Sequence, residues 1–113
     1  MAKDDYFVIV YKILNYLYDC LKKGKEPEAA ALRHDGKLFL IHPRYWLYII
    51  EHLQNGGYIE GLTITKAWGQ ETIVEDFDLC RITPDGIAYL VDNTMLQRVK
   101  KALKELKGIV PGV

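Results

Sequence analysis

The sequence predicts an α+β, mostly helical fold: three helices, a β-hairpin, then C-terminal helices. Three observations carry that expectation. A helix led by Pro43 is closed by Asn55-Gly56-Gly57, a run rich in β-branched and aromatic residues follows from Tyr58, and Thr83-Pro84-Asp85 opens a return helix. Helix, β-ribbon and return helix in that order describe a winged helix-turn-helix, with the hairpin as its wing. At 113 residues and half apolar, the chain is sized for a single domain, 1–113, around one core.

The first helix is expected over about 5–23. Asp4 or Asp5 can accept from the free amide donors at its start, Gly24 can take the left-handed stop, and Lys22 and Lys23 suit its negative end. Two apolar stripes run along it, Tyr6-Val10-Ile13-Leu17-Cys20-Leu21 and, beside them, Phe7-Tyr11-Leu14-Tyr18. A helix so widely apolar is either buried on two sides or shared with a partner chain. Glu26-Pro27-Glu28 fits the start of a short second helix with Pro27 at its first position, carrying Ala29, Ala30, Ala31 and Leu32 and ended by Asp35-Gly36. Leu38-Phe39-Leu40-Ile41 reads as a small strand or an extended linker.

The third helix is expected from Pro43 to about Asn55. Trp46, Ile49, Ile50 and Leu53 share one face, Arg44, Tyr48, Glu51 and Asn55 the opposite one, with Tyr45 and His52 at the flank. The wing follows over about 58–82: one strand through Tyr58 to Lys66, a turn at Trp68-Gly69-Gln70-Glu71, and a returning strand from Thr72 to Ile82. Thr83-Pro84-Asp85 combines a cap, a proline and an acid, and Ile87, Tyr89 and Leu90 can fold back on the core. A last helix, about 94–107, is expected to begin at Thr94, which has capping-box spacing to Gln97. Leu96, Val99, Ala102, Leu103 and Leu106 form its apolar stripe, while Arg98, Lys100, Lys101, Lys104 and Lys107 cover the other face.

Fifteen Lys plus Arg balance fifteen Asp plus Glu, so no bulk charge draws the chain to nucleic acid or anionic lipid. Any such attraction must be local. The segment from Tyr6 to Leu21 is broken by Lys12, Asn15 and Asp19 and falls short of the roughly 20 apolar residues of a bilayer span, so no membrane association is expected. Cys20 and Cys80 have no paired spacing and no basic, apolar leader opens the chain, which together point to a reducing cytoplasm. Both thiols read as small apolar core groups. His34, His42 and His52 form no zinc-like pattern, and Glu75, Asp76 and Asp78 lack calcium-loop spacing, so neither a metal nor another cofactor is expected. No nucleophile and base, phosphate loop or metal cluster supports an enzyme.

In a helix-turn-helix the second of two crossed helices lies in the major groove and its N-terminal residues reach base edges. Arg44 could pair with guanine, Tyr45 and Tyr48 could reach phosphates or thymine methyls, and His52 or Asn55 could hold the backbone. A solvated or partner-facing surface explains the same residues equally well. Charge argues against simple DNA binding, because the wing sets Lys66 against Glu71, Glu75, Asp76 and Asp78 and should repel phosphate. The usable positive charge lies at Lys22, Lys23 and Lys25 and on the last helix, where Lys100, Lys101 and Lys104 can help hold a duplex. Binding should be weak unless those clusters converge beside the third helix. Tyr11, Tyr18 and the wing-tip Trp68 are the residues suited to a protein partner or a homodimer.

Four segments resemble the YjcQ family of small winged-helix proteins from Gram-positive bacteria and their prophages. They are Tyr11 to Leu17, Leu53-Gln54-Asn55-Gly56-Gly57-Tyr58-Ile59-Glu60-Gly61, Ile82 to Leu90, and Asp92-Asn93-Thr94-Met95. The resemblance implies a winged-helix fold and a bacterial or phage origin. It departs from a normal helix-turn-helix between Gly36 and His42, where the link is longer than the usual short turn. The leading expectation is a non-enzymatic, cytoplasmic DNA-binding protein, a prophage-associated regulator; the alternative is a protein-interaction or dimerisation module on the same fold.

Overall fold

A computed structural model of the chain describes residues 5–92 and 97–104. Its central element is α1, Tyr6–Lys23, started by Asp5, whose carboxylate accepts from the Phe7 N–H, and stopped by Gly24 in the left-handed conformation. Both ends fall where the caps place them. Val8, Ile9, Val10, Ile13, Leu14, Leu17 and Cys20 are all buried, so the wide apolar surface is explained by burial on more than one side within the chain.

The short α2, Ala29–Leu32, begins two residues later than the proline signal suggests. The cause is a tie to α1: the Glu28 N–H donates to the Tyr16 hydroxyl at 2.9 Å, which holds the chain extended there. Pro27 is buried and precedes the helix. The helix also closes early, with Arg33 rather than Asp35-Gly36 at its end. Residues 38–41 form a connector, not a strand; no strand lies beside them to pair with among the described residues, and they are fixed by burial of Phe39 and Ile41 and by the Ile41 N–H donating to the His34 carbonyl.

Helix α3 spans Pro43–Asn55, with His42 as its cap, its Nδ1 accepting from the Arg44 N–H. Trp46, Ile49, Ile50 and Leu53 are its buried residues, as their spacing requires. The Trp46 indole Nε1–H donates to the Leu32 carbonyl at 2.7 Å and so fastens α3 to the end of α2.

The hairpin comes in two antiparallel pieces. At its base β1, Ile59–Glu60, pairs with β4, Arg81–Ile82; beyond it β2, Thr63–Lys66, pairs with β3, Thr72–Glu75, in the register Thr63 to Glu75 and Lys66 to Thr72. The return strand is therefore interrupted where continuity was expected. Residues 76–80 face only 61–62, and the excess is absorbed by a left-handed Asp76 and a 3-10 turn at Phe77–Leu79, which lays Phe77 against Trp46 with ring centroids 6.2 Å apart. Gly61 completes the kink: its φ is +101°, and a Cβ there would stand 2.0 Å from the Leu79 carbonyl oxygen.

Helix α4, Pro84–Val91, opens on Thr83, whose Oγ1 accepts from the Gly86 N–H and donates to the Gly57 carbonyl. Residues 97–104 form a last helix that buries Val99 and Ala102. The predicted cap Thr94 and the positions Leu96, Leu106 and Lys107 lie outside the described residues. Three helices, a kinked hairpin and two closing helices make an α+β fold of winged-helix type.

Candidate nucleic-acid interface

With one face of α3 committed to the core, every fourth residue on the other side points outward. Arg44, Tyr48 and His52 form that row and all three are exposed. The Tyr48 and His52 rings lie 4.1 Å apart, and His52 Nδ1 sits 2.8 Å from the Tyr48 carbonyl oxygen. A carbonyl can only accept, so Nδ1 carries the proton and Nε2 is the free nitrogen of this exposed ring. Arg44, Leu47, Tyr48, Glu51 and His52 together line a shallow groove of about 230 Å³. Tyr45 differs from the other three, since it is half-buried and packs against the core at the flank of the row.

The opposite flank of α3 faces the hairpin across a cleft of about 440 Å³ that includes Glu51, Gln54, Asn55, Leu62 and Lys66. Gln54 sets the width of that cleft. Its Nε2 donates to the Leu62 carbonyl at 2.7 Å and its Oε1 accepts from the Leu62 N–H at 3.0 Å, so the amide replaces the strand neighbour that the kink removes. Sequence reasoning missed Gln54; the only available signal was a polar residue next to the buried Leu53 position, which any solvated helix also shows.

The two positive clusters do not converge. Lys22 lies over the Tyr18 ring at 4.4 Å and Lys23 pairs with Asp19 at 3.1 Å, both at the C-terminal end of α1. Arg98, by contrast, lies over the Phe7 ring at 4.6 Å. Fifteen helical residues separate the two places, about 22 Å. Arg98 shares a cavity with Gly56, at the C-terminal end of α3, and with Tyr58 and Tyr89; Phe7 meets Tyr6 edge to face, and the Tyr6 hydroxyl is pushed above its ordinary pKa by burial and then by the neighbouring phenols of Tyr89, Tyr48 and Tyr58. Lys100, Lys101 and Lys104 on that helix are exposed.

Of the residues assigned to a partner, Tyr11 and Tyr18 are half-buried against the core, whereas Trp68 is 99% exposed at the wing tip. The cysteines are free and buried, and burial pushes the Cys80 thiol up to about 12. That suits a packed apolar group and not a nucleophile. Among the described residues no three His, Cys, Asp or Glu side chains are grouped to hold a metal ion, and no helix is long and apolar enough to cross a membrane.

Fold and surface define a winged-helix-like module whose outward α3 row is available for contact. The family model for the YjcQ protein matches residues 11–109, and the chain belongs to the YjcQ family. No curated protein and no solved structure matches it.

Proposed function

We propose that this chain is a non-enzymatic DNA-binding protein that meets duplex DNA through the outward row of α3. The observation that carries the reading is the exposure of Arg44, Tyr48 and His52 in one line on α3, the helix that a helix-turn-helix reading would lay in the major groove. Arg44, near the helix start, reaches base edges or phosphate; Tyr48 and His52 offer a flat, hydrogen-bonding surface, with Tyr45 at its flank; and Lys100, Lys101 and Lys104 supply phosphate contacts. A prophage-associated regulator is the setting that the family resemblance suggests, and the unpaired cysteines suit the cytoplasm.

Because the α1 lysines lie apart from the last helix, binding should be weak; with four cations at the interface, affinity should fall with a log-log salt slope of about −3.6, or roughly 150-fold between about 50 and 200 mM salt. Fluorescence anisotropy with labelled mixed-sequence duplex tests this. Negligible binding at low salt, or binding unchanged in Arg44→Ala and Lys101→Ala, overturns the proposal. A second reading, a protein-docking module, is favoured by one feature: an indole fully exposed on a hairpin whose charge is acidic.

A further inference from the structure

The wing and the last helix are opposite in charge. The hairpin presents Glu71, Glu75 and Asp78 to solvent, and the last helix presents Lys100, Lys101 and Lys104; among the described residues none of the six has an ion-pair partner. They also cannot reach one another. The kink of the hairpin, at Leu79 and Cys80, shares a small cavity with Cys20 and Leu21 at the C-terminal end of α1, whereas Arg98 anchors the last helix on Phe7 at the other end. That separation is about 20 Å along the helix axis. Each surface has an apolar element beside its charges: Trp68 and Ile73 on the wing, Leu103 on the last helix, all exposed.

We infer that the acidic wing of one copy docks on the basic last helix of a second copy, with Trp68 as the apolar anchor. Related by a two-fold axis, two chains make this contact twice, because each contributes one wing and one helix. Charge complementarity selects the second copy over an unrelated chain: the formally neutral protein carries both halves of the match on separated surfaces. The inference is independent of DNA binding, although a bound duplex and a docked wing would use the same lysines.

The test is sedimentation velocity of the full chain without nucleic acid, at high micromolar concentration and low salt. A dimer that dissociates as salt is raised is expected. Trp68→Ala, Glu75→Lys and Lys101→Glu should each weaken it about tenfold or more, and all three sites are exposed enough to leave folding intact. The discriminating arm mixes Glu75→Lys protein with Lys101→Glu protein. In that mixture the wing of the first meets the last helix of the second with the two charges exchanged, while the other contact keeps the native pair, so association should return. A monomer under every condition overturns the inference, as does a dimer indifferent to both reversals or a mixture that stays dissociated.

Discussion

Removing the Gln54 amide tests how the hairpin is held against α3. Both of its hydrogen bonds go to the main chain of Leu62, in the interval between β1 and β2 where no strand supplies a partner. Gln54→Ala leaves a half-buried N–H and C=O unmet, and with each orphan costing about 1–3 kcal/mol, less what water recovers, the loss should be about 2–4 kcal/mol. Gln54→Glu separates the two bonds. A carboxylate still accepts from the Leu62 N–H but repels the carbonyl, whereas the protonated acid donates to it. The folded state therefore binds that proton more tightly than the unfolded chain, and the stability of Gln54→Glu should rise relative to the parent as pH falls through the carboxyl range. Urea unfolding followed by circular dichroism gives the energies, and amide exchange at Leu62 localises them. A Gln54→Ala protein within about 0.5 kcal/mol of the parent, or a Gln54→Glu protein with no added pH dependence, would refute the clamp.

Trp46→Phe should cost about 1–3 kcal/mol in urea unfolding, since the Leu32 carbonyl loses its indole donor, while Trp68→Phe should stay within about 0.5 kcal/mol and leave an emission spectrum dominated by a buried indole. Gly86→Ala should lower the melting temperature sharply, because the added Cβ would stand 2.1 Å from the Tyr58 carbonyl oxygen where α4 crosses the hairpin base. Cys80 keeps its proton in the folded state up to about 12 but releases it near 9.0 when unfolded, so stability should decline as pH rises between those values, and a Cys80→Ala background should lack that component of the decline. Native Cys80 should accordingly resist thiol reagents at mildly alkaline pH until the chain is unfolded, read as labelling rate with and without urea.

The elements that carry their own boundary chemistry were legible in the sequence. Asp5 and Gly24 mark α1, Pro43 and Asn55-Gly56 mark α3, and Thr83-Pro84 marks α4, because caps and prolines act within a turn of where they stand. The same periodicity identified Trp46, Ile49, Ile50 and Leu53 as core and thereby left Arg44 and Tyr48 outside. Features set by distant partners were not legible. Pro27 looks like a helix start until Tyr16 captures the Glu28 N–H, and Thr72 to Ile82 looks like one strand until Phe77 turns toward Trp46. The separation of the lysine clusters depends on Arg98 choosing the Phe7 ring, a contact across most of the chain length. Tyr11 and Tyr18 illustrate the limit of pattern: a second apolar stripe on α1 reads alike whether a partner or the chain itself covers it.

The account turns on which surface receives the duplex, and amide and side-chain chemical-shift mapping measures that directly. On titration with a short mixed-sequence duplex at low salt, the resonances that move most should be those of Arg44, Tyr48 and His52, followed by Lys100, Lys101 and Lys104. Shifts concentrated on the wing, or none on α3, would contradict it.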